Sequence, residues 1–129
     1  DKAAGDAQIH CVPSEIEQVL LNLLRNAQQA LEEYDGGDGW HPKVKIKASR
    51  QNNMTCLEIE DNGPGIPADV APHIFEPFYT TKEVGDGTGL GLSVSYFIVT
   101  SHHQGRLRYQ RSSLGGACFV LCLPAEENG

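Results

Sequence analysis

One apolar stripe constrains this chain more than any other feature. Ile16, Val19, Leu20, Leu23, Leu24, Ala27 and Leu31 recur in steps of one, three and four residues, the spacing of one helical face. The spacing predicts an amphipathic helix from Pro13-Ser14 to about Tyr34. Ser14 is the expected N-cap, with Glu17 three residues on completing a capping box. Asp35-Gly36-Gly37-Asp38-Gly39 is the expected stop. A single apolar face must be covered by another layer. Two strand pairs further along supply that layer. Lys43 to Ser49 alternates, with Val44, Ile46 and Ala48 on one face and lysines on the other, and Met54 to Glu60 follows across an Arg50-Gln51-Asn52-Asn53 turn. Arg106 to Arg111 and Ala117 to Leu123 form a second pair around Gly115-Gly116. Between the pairs lie a loop-rich stretch, a short helix around Ala68 to Phe75, and a helix from Leu92 to His102 that stops at Gly105. A short extended lead, Gln8 to Val12, precedes the first helix. With no repeat and no second domain, 1–129 reads as one α+β domain. The expectation is a two-layer α/β sandwich whose mixed, mostly antiparallel sheet is covered on one face by about three helices.

Composition narrows the function classes. Ten Lys and Arg against 17 Asp and Glu give a net charge of −7 and a pI near 5.1. No basic patch or stripe is visible, which argues against a nucleic-acid partner. An anionic small ligand would need local help from metal, lysine or backbone N–H groups. The longest apolar run, Val19 to Leu24, is broken by Asn22, so no membrane span is expected. No signal peptide is recognisable. The chain begins without Met and is expected to be a piece of a longer protein. Cys11, Cys56, Cys118 and Cys122 lie without a C-x-x-C pair, a spacing that supports neither a disulfide framework nor a zinc site. Buried thiols in a reducing compartment are the expectation.

Three constellations carry chemistry. Asn22 and Asn26, four apart, share one helix face at the edge of the apolar stripe. A polar pair there is costly unless satisfied, and one carboxamide oxygen together with substrate phosphates can hold Mg²⁺. Asp61-Asn62-Gly63-Pro64-Gly65-Ile66 places a carboxylate at a strand end before a glycine turn, where a flat ligand can approach the backbone closely. The carboxylate suits an adenine amine. Gly85-Asp86-Gly87-Thr88-Gly89-Leu90-Gly91-Leu92 runs into a helix, where alternate glycines expose N–H groups to phosphate. It is neither a Rossmann fingerprint nor a Walker A loop. Six of the 14 glycines, against a usual share of ~7% of residues, fall within 63–91.

Together and in this order, the three resemble the ATP-binding catalytic domain of two-component sensor histidine kinases, in the superfamily of gyrase B, Hsp90 and MutL. Glu17 to Ala27 resembles the N box and Asp61 to Ile66 the G1 box. Ile74-Phe75-Glu76-Pro77-Phe78 resembles the F box, and Gly87 to Leu92 the G2 box. Tyr79-Thr80-Thr81-Lys82 is most similar to kinases of the nitrogen-regulation type. The resemblance covers about residues 8–124 and implies the Bergerat fold, with ATP and Mg²⁺ as ligands. It implies that Asn26 coordinates Mg²⁺, that Asn22 lies near the phosphates, and that Asp61 binds the adenine amine with Gly63 and Gly65 shaping its pocket. Glu76 to Thr88 would be a lid, with Lys82 a candidate γ-phosphate partner. Gly87, Gly89 and Gly91 would contact phosphate through their backbone. Ile66, Thr81, Thr88, Leu90 and Leu92 complete the implied nucleotide-binding set.

Two positions depart from the family pattern. Ala117 stands where a hydroxyl residue is usual, and Gln29 where several relatives carry a cation. Asn22 replaces the glutamate of hydrolytic members, and an amide is no general base. Slow hydrolysis is therefore expected, with transfer to a protein acceptor. None of His10, His41, His73, His102 or His103 is followed by an acidic residue, so all five are expected to be structural. The phosphorylated histidine is expected on a dimerisation domain N-terminal to this chain, and no catalytic residue is assigned within it. The implied partners are that domain and a response regulator, with a homodimeric parent and a monomeric isolated domain. The parent would be cytoplasmic or anchored in the inner membrane. The alternatives are a non-catalytic nucleotide-responsive interaction module and an anti-sigma-factor type serine kinase.

Overall fold

The computed structural model describes residues 12–77 and 91–124. Helix α1 spans Pro13–Glu32. Four strands follow: β1 (Val44–Gln51), β2 (Met54–Asp61), β3 (Arg106–Arg111) and β4 (Ala117–Pro124). Helix α2 (Gly91–Phe97) precedes β3 and continues as a π-helical turn, Ile98–His102. A 3₁₀ turn at Ala71–His73 stands where a short helix was expected. Among the described residues the helical layer is thus two helices and one 3₁₀ turn. The strand order is β1-β2-β4-β3, every neighbouring pair antiparallel. The Gln8–Val12 lead lies outside the described residues except for Val12, which is not in a strand.

Helix α1 starts one residue before the expected cap. Val12 is the N-cap and makes no side-chain capping bond, Pro13 occupies the first turn, and Ser14 already lies within the helix. Proline is pre-set for this position, because it lacks an N–H that would be orphaned anyway. The π-helical turn is closed by His103, which is buried. Its Nε2 accepts the Val12 N–H at 2.9 Å, so Nδ1 carries the proton and donates to the Ile98 carbonyl, also at 2.9 Å. This ring ties the end of the second helical segment to the start of the first.

Alternation along β4 builds two faces. Ala117, Phe119, Leu121 and Leu123 join Ile59 of β2, Ile16, Val19 and Leu23 of α1, and Ile98 and Val99 in the main core. Cys118, Val120 and Cys122 pack with Cys56 on the opposite face. β4 is buried along nearly its whole length. β1, an edge of this sheet, alternates as expected, yet Val44 and Ile46 are exposed and only Ala48 is buried. The β1–β2 turn is made by Asn52 and Asn53, both at positive φ (47° and 65°), the conformation that two-residue hairpins require.

The cysteines depart from expectation. Register places Cys56 directly opposite Cys122, and the two are disulfide-bonded. Cys118 is free and buried. The partners lie 66 residues apart, so local spacing carries no trace of the pairing.

Candidate functional site

Asp61 ends β2 and is 3% exposed. Its Oδ1 accepts the Gly63 N–H at 2.9 Å and the Ala117 N–H at 3.2 Å. Backbone donors of this kind stabilise a buried carboxylate without a counter-cation. Oδ2 has no hydrogen-bond partner among the described residues. Gly63 is buried against α1, where a Cβ would lie 3.5 Å from Leu31 and 3.7 Å from Ala30. Gly65 holds φ +75° over the Gly116 carbonyl, a conformation that β-carbons disfavour. The Ile66 N–H donates to the Tyr109 hydroxyl at 3.2 Å, and its side chain packs against the main core.

The two asparagines of α1 have different surroundings. Asn22 donates from Nδ2 to the Ser95 hydroxyl at 3.1 Å and to the Gly91 carbonyl at 3.3 Å, while its Oδ1 accepts from Gln18. It therefore joins α1 to α2 at Gly91 and Ser95. Asn26, half-buried one turn further along, has no hydrogen-bond partner among the described residues. Its carboxamide oxygen, a hard donor, fits a magnesium ligand. Because Gly63 rests on Ala30 and Leu31, α1 runs from the Asp61 turn past Asn26 to Asn22, a span of ~12 Å at 1.5 Å per residue. Leu92, at the start of α2, packs on the core beside this line.

The structure thus gathers Asp61, Gly63, Gly65 and Ile66 near the C-terminal end of α1, and Asn22 and Gly91 beside its middle. Thr81, Lys82, Gly87, Thr88, Gly89 and Leu90 lie outside the described residues, as do Phe78 and most of the expected lid. Ala117 contributes its backbone N–H to Asp61, a role that needs no side chain.

Four residues at this site carry no signal in the motifs as read. Gly116 reads as an ordinary turn glycine, but a Cβ there would overlap the Asp61 carboxylate. Ser95, fully buried, receives Asn22. Tyr109, packed on Phe119, holds the Ile66 backbone. Trp40 donates its indole N–H to the Asn62 carbonyl at 3.1 Å. Each is set by tertiary register rather than by local spacing.

The opposite face of the sheet holds a different group. Glu58, Glu60 and Cys118 place ligand atoms within 4.8 Å of one another, and Glu60 accepts from Ser112 at 2.8 Å. Burial, with Glu60 and Glu58 nearby, pushes the Cys118 thiol up to about 11. It is a neutral thiol and no nucleophile.

The chain's similarity to known proteins agrees with the fold. Residues 11–127 match the model of the histidine kinase-, DNA gyrase B-, and HSP90-like ATPase family, and the chain belongs to that family. It is 39% identical over 120 residues to sporulation kinase E of Bacillus subtilis (93% of this chain, 15% of that protein). It is 37% identical over 119 residues to sensor protein kinase PilS of Pseudomonas aeruginosa (92% and 21%). The chain therefore spans only about a fifth or less of these relatives. Among solved structures it resembles the catalytic domain of histidine kinase ThkA in a nucleotide-free form, with a TM-score of 0.74 at 31% identity (90% of this chain, 71% of that one). It also resembles a mycobacterial sensor histidine kinase, MprB, with a TM-score of 0.77 at 26% identity (95% and 80%). The fold is that of histidine kinase ATP-binding domains. No described helix is long and apolar enough to cross a membrane.

Proposed function

We propose that this domain binds Mg-ATP and donates the γ-phosphoryl group to a histidine on a separate dimerisation domain, for onward transfer to a response regulator. The observation that carries the reading is Asp61: a buried carboxylate at a strand end, one oxygen held by two backbone N–H groups, the other without a partner among the described residues. An exocyclic amine is the donor such an oxygen suits. The adenine sits at the Asp61 turn, the triphosphate extends along α1, and Asn26 supplies the oxygen ligand for the metal. Bound magnesium would neutralise charge on the phosphates.

The protein's own part is positioning. Asp61 orients the base, and Asn22 fixes the start of α2, whose first residue, Gly91, ends the glycine-rich phosphate loop. Thr81, Lys82, Gly87, Thr88, Gly89 and Leu90 belong to the same site on their motifs. Asn22 is committed as a donor to Gly91 and Ser95 and takes no proton, which favours transfer over hydrolysis. The acceptor histidine is assigned to another part of a longer protein. His73, His102 and His103 all have hydrogen-bond partners here, to Glu76, Glu15 and Ile98 respectively.

Calorimetric titration of ATP with and without Mg²⁺ tests the site. Asp61→Asn should weaken ATP by roughly 10-fold or more, the scale of a hydrogen bond to a charged group. Asn26→Ala should remove the magnesium dependence. Unchanged binding in both would refute the assignment, and hydrolysis at the rate of a dedicated ATPase would refute the transfer chemistry.

A further inference from the structure

The peptide unit between Asn62 and Gly63 is held at both ends. Its carbonyl accepts the Trp40 indole N–H at 3.1 Å, and its N–H donates to Asp61 Oδ1 at 2.9 Å. A peptide is planar, so its C=O and N–H turn together. Whatever fixes the carbonyl also fixes the donor that aims Asp61.

Trp40 is itself held in place. The Asn62 amide donates to the His41 carbonyl at 2.8 Å and accepts the Lys43 N–H at 2.8 Å. The Asn62 N–H donates to the Lys43 carbonyl at 3.2 Å. The indole meets the Tyr34 ring edge-on at 5.3 Å and lies on Gly36, where any Cβ would overlap it. The segment after α1 is therefore a fixed bracket around the turn that follows Asp61. Trp40, the chain's one tryptophan, falls in none of the sequence motifs.

We propose that Trp40 is a positioning residue for base recognition. Its N–H locks the Asn62–Gly63 peptide, that peptide locks Asp61 Oδ1, and Oδ2 is thereby aimed at the amino group of the base. The inference rests on the ATP-binding reading above. It makes a distinct claim: loss of the indole N–H harms recognition of the 6-amino group and leaves the rest of the nucleotide's binding intact.

The test is calorimetry on the wild-type chain and on Trp40→Phe, which keeps an aromatic ring and removes the donor. Asn62→Asp is a second variant, losing the amide donor to His41. Each is titrated with Mg-ATP and with purine riboside triphosphate, which lacks the 6-amino group. Losing one neutral hydrogen bond corresponds to roughly 2- to 10-fold. ATP should weaken by about that factor in both variants, while the analogue changes less than about 2-fold. Equal weakening of both nucleotides would reduce Trp40 to a structural residue and overturn the proposal, as would unchanged ATP affinity. Wild-type chain that binds neither nucleotide would overturn the ATP reading itself. Wild-type chain that binds both equally would remove Asp61 as the amine acceptor.

Discussion

Asn22 reaches across 69 positions of sequence to donate its side-chain N–H to the carbonyl of Gly91, at 3.3 Å. With the 3.1 Å bond to Ser95, it fastens the helix that carries the metal-ligand candidate to the helix that follows the glycine-rich segment proposed to hold phosphate. One carboxamide thus sets the spacing between two parts of the site.

Asn22→Ala should therefore act on stability as well as on binding. Removing two hydrogen bonds, one of them to the buried Ser95, costs about 1–2 kcal/mol. Thermal melting should fall by several degrees. An Asn22→Ala chain that melts like wild type would show that the bridge contributes nothing.

Gly116→Ala should damage the Asp61 site directly, because the new Cβ meets the carboxylate. ATP binding should be lost and melting lowered by several degrees. Gly115→Ala is the contrast: its φ of +104° strains any side chain, but no atom lies near the added Cβ. It should lower melting by a comparable or smaller amount and leave ATP affinity within about 2-fold, as a strain of order 1 kcal/mol confined to the turn implies.

The Cys56–Cys122 bond makes a chemical prediction. Alkylation of denatured, unreduced protein should label two of the four cysteines, Cys11 and Cys118, and all four after reduction. Closing a loop of this length contributes about 4 kcal/mol in the chain-entropy view. A reductant should accordingly lower the melting temperature. Four labelled cysteines without reduction would remove the bond.

Cys118 links stability to alkaline pH. Its folded pKa, about 11, lies above the ordinary 9.0, so between those values the folded state retains a proton that the unfolded state releases. Stability from this group is complete below pH 9 and is lost as pH rises towards 11. Denaturant unfolding of wild type and Cys118→Ala, compared from pH 8 to 11, should show a steeper decline for wild type. Parallel curves would count against a raised thiol.

Much of this was legible in the primary sequence, for physical reasons that differ by element. The α1 stripe, the asparagine turn and the strand pairs are local patterns, and these elements form where the spacing predicts, although Leu24 of the stripe is exposed. Ser14 was misread as the cap because a hydroxyl beside a helix start is a local cue, whereas Pro13 and the Val12–His103 bond decide where the helix begins. Val44 and Ile46 alternate like core residues yet are exposed on an edge strand. The roles of Trp40, Gly116 and Tyr109, and the pairing of Cys56 with Cys122, depend on register between distant segments, which no window of sequence contains. At the site itself, Asp61 and the glycines were legible as a turn, while the groups that aim the carboxylate were not.

The position of β4 has a consequence for synthesis. β2 has β1 beside it early, but its other neighbour is residues 117–124, with Met54 pairing to Pro124. Until that last strand leaves the ribosome, α1 has no completed sheet to cover, and the Asp61 carboxylate lacks its donor from Ala117. Non-local pairing of this kind slows folding. The apolar face of α1 therefore waits from its own synthesis until residues 117–124 have been made, and the Asp61 end of the domain is assembled in the same step as its core.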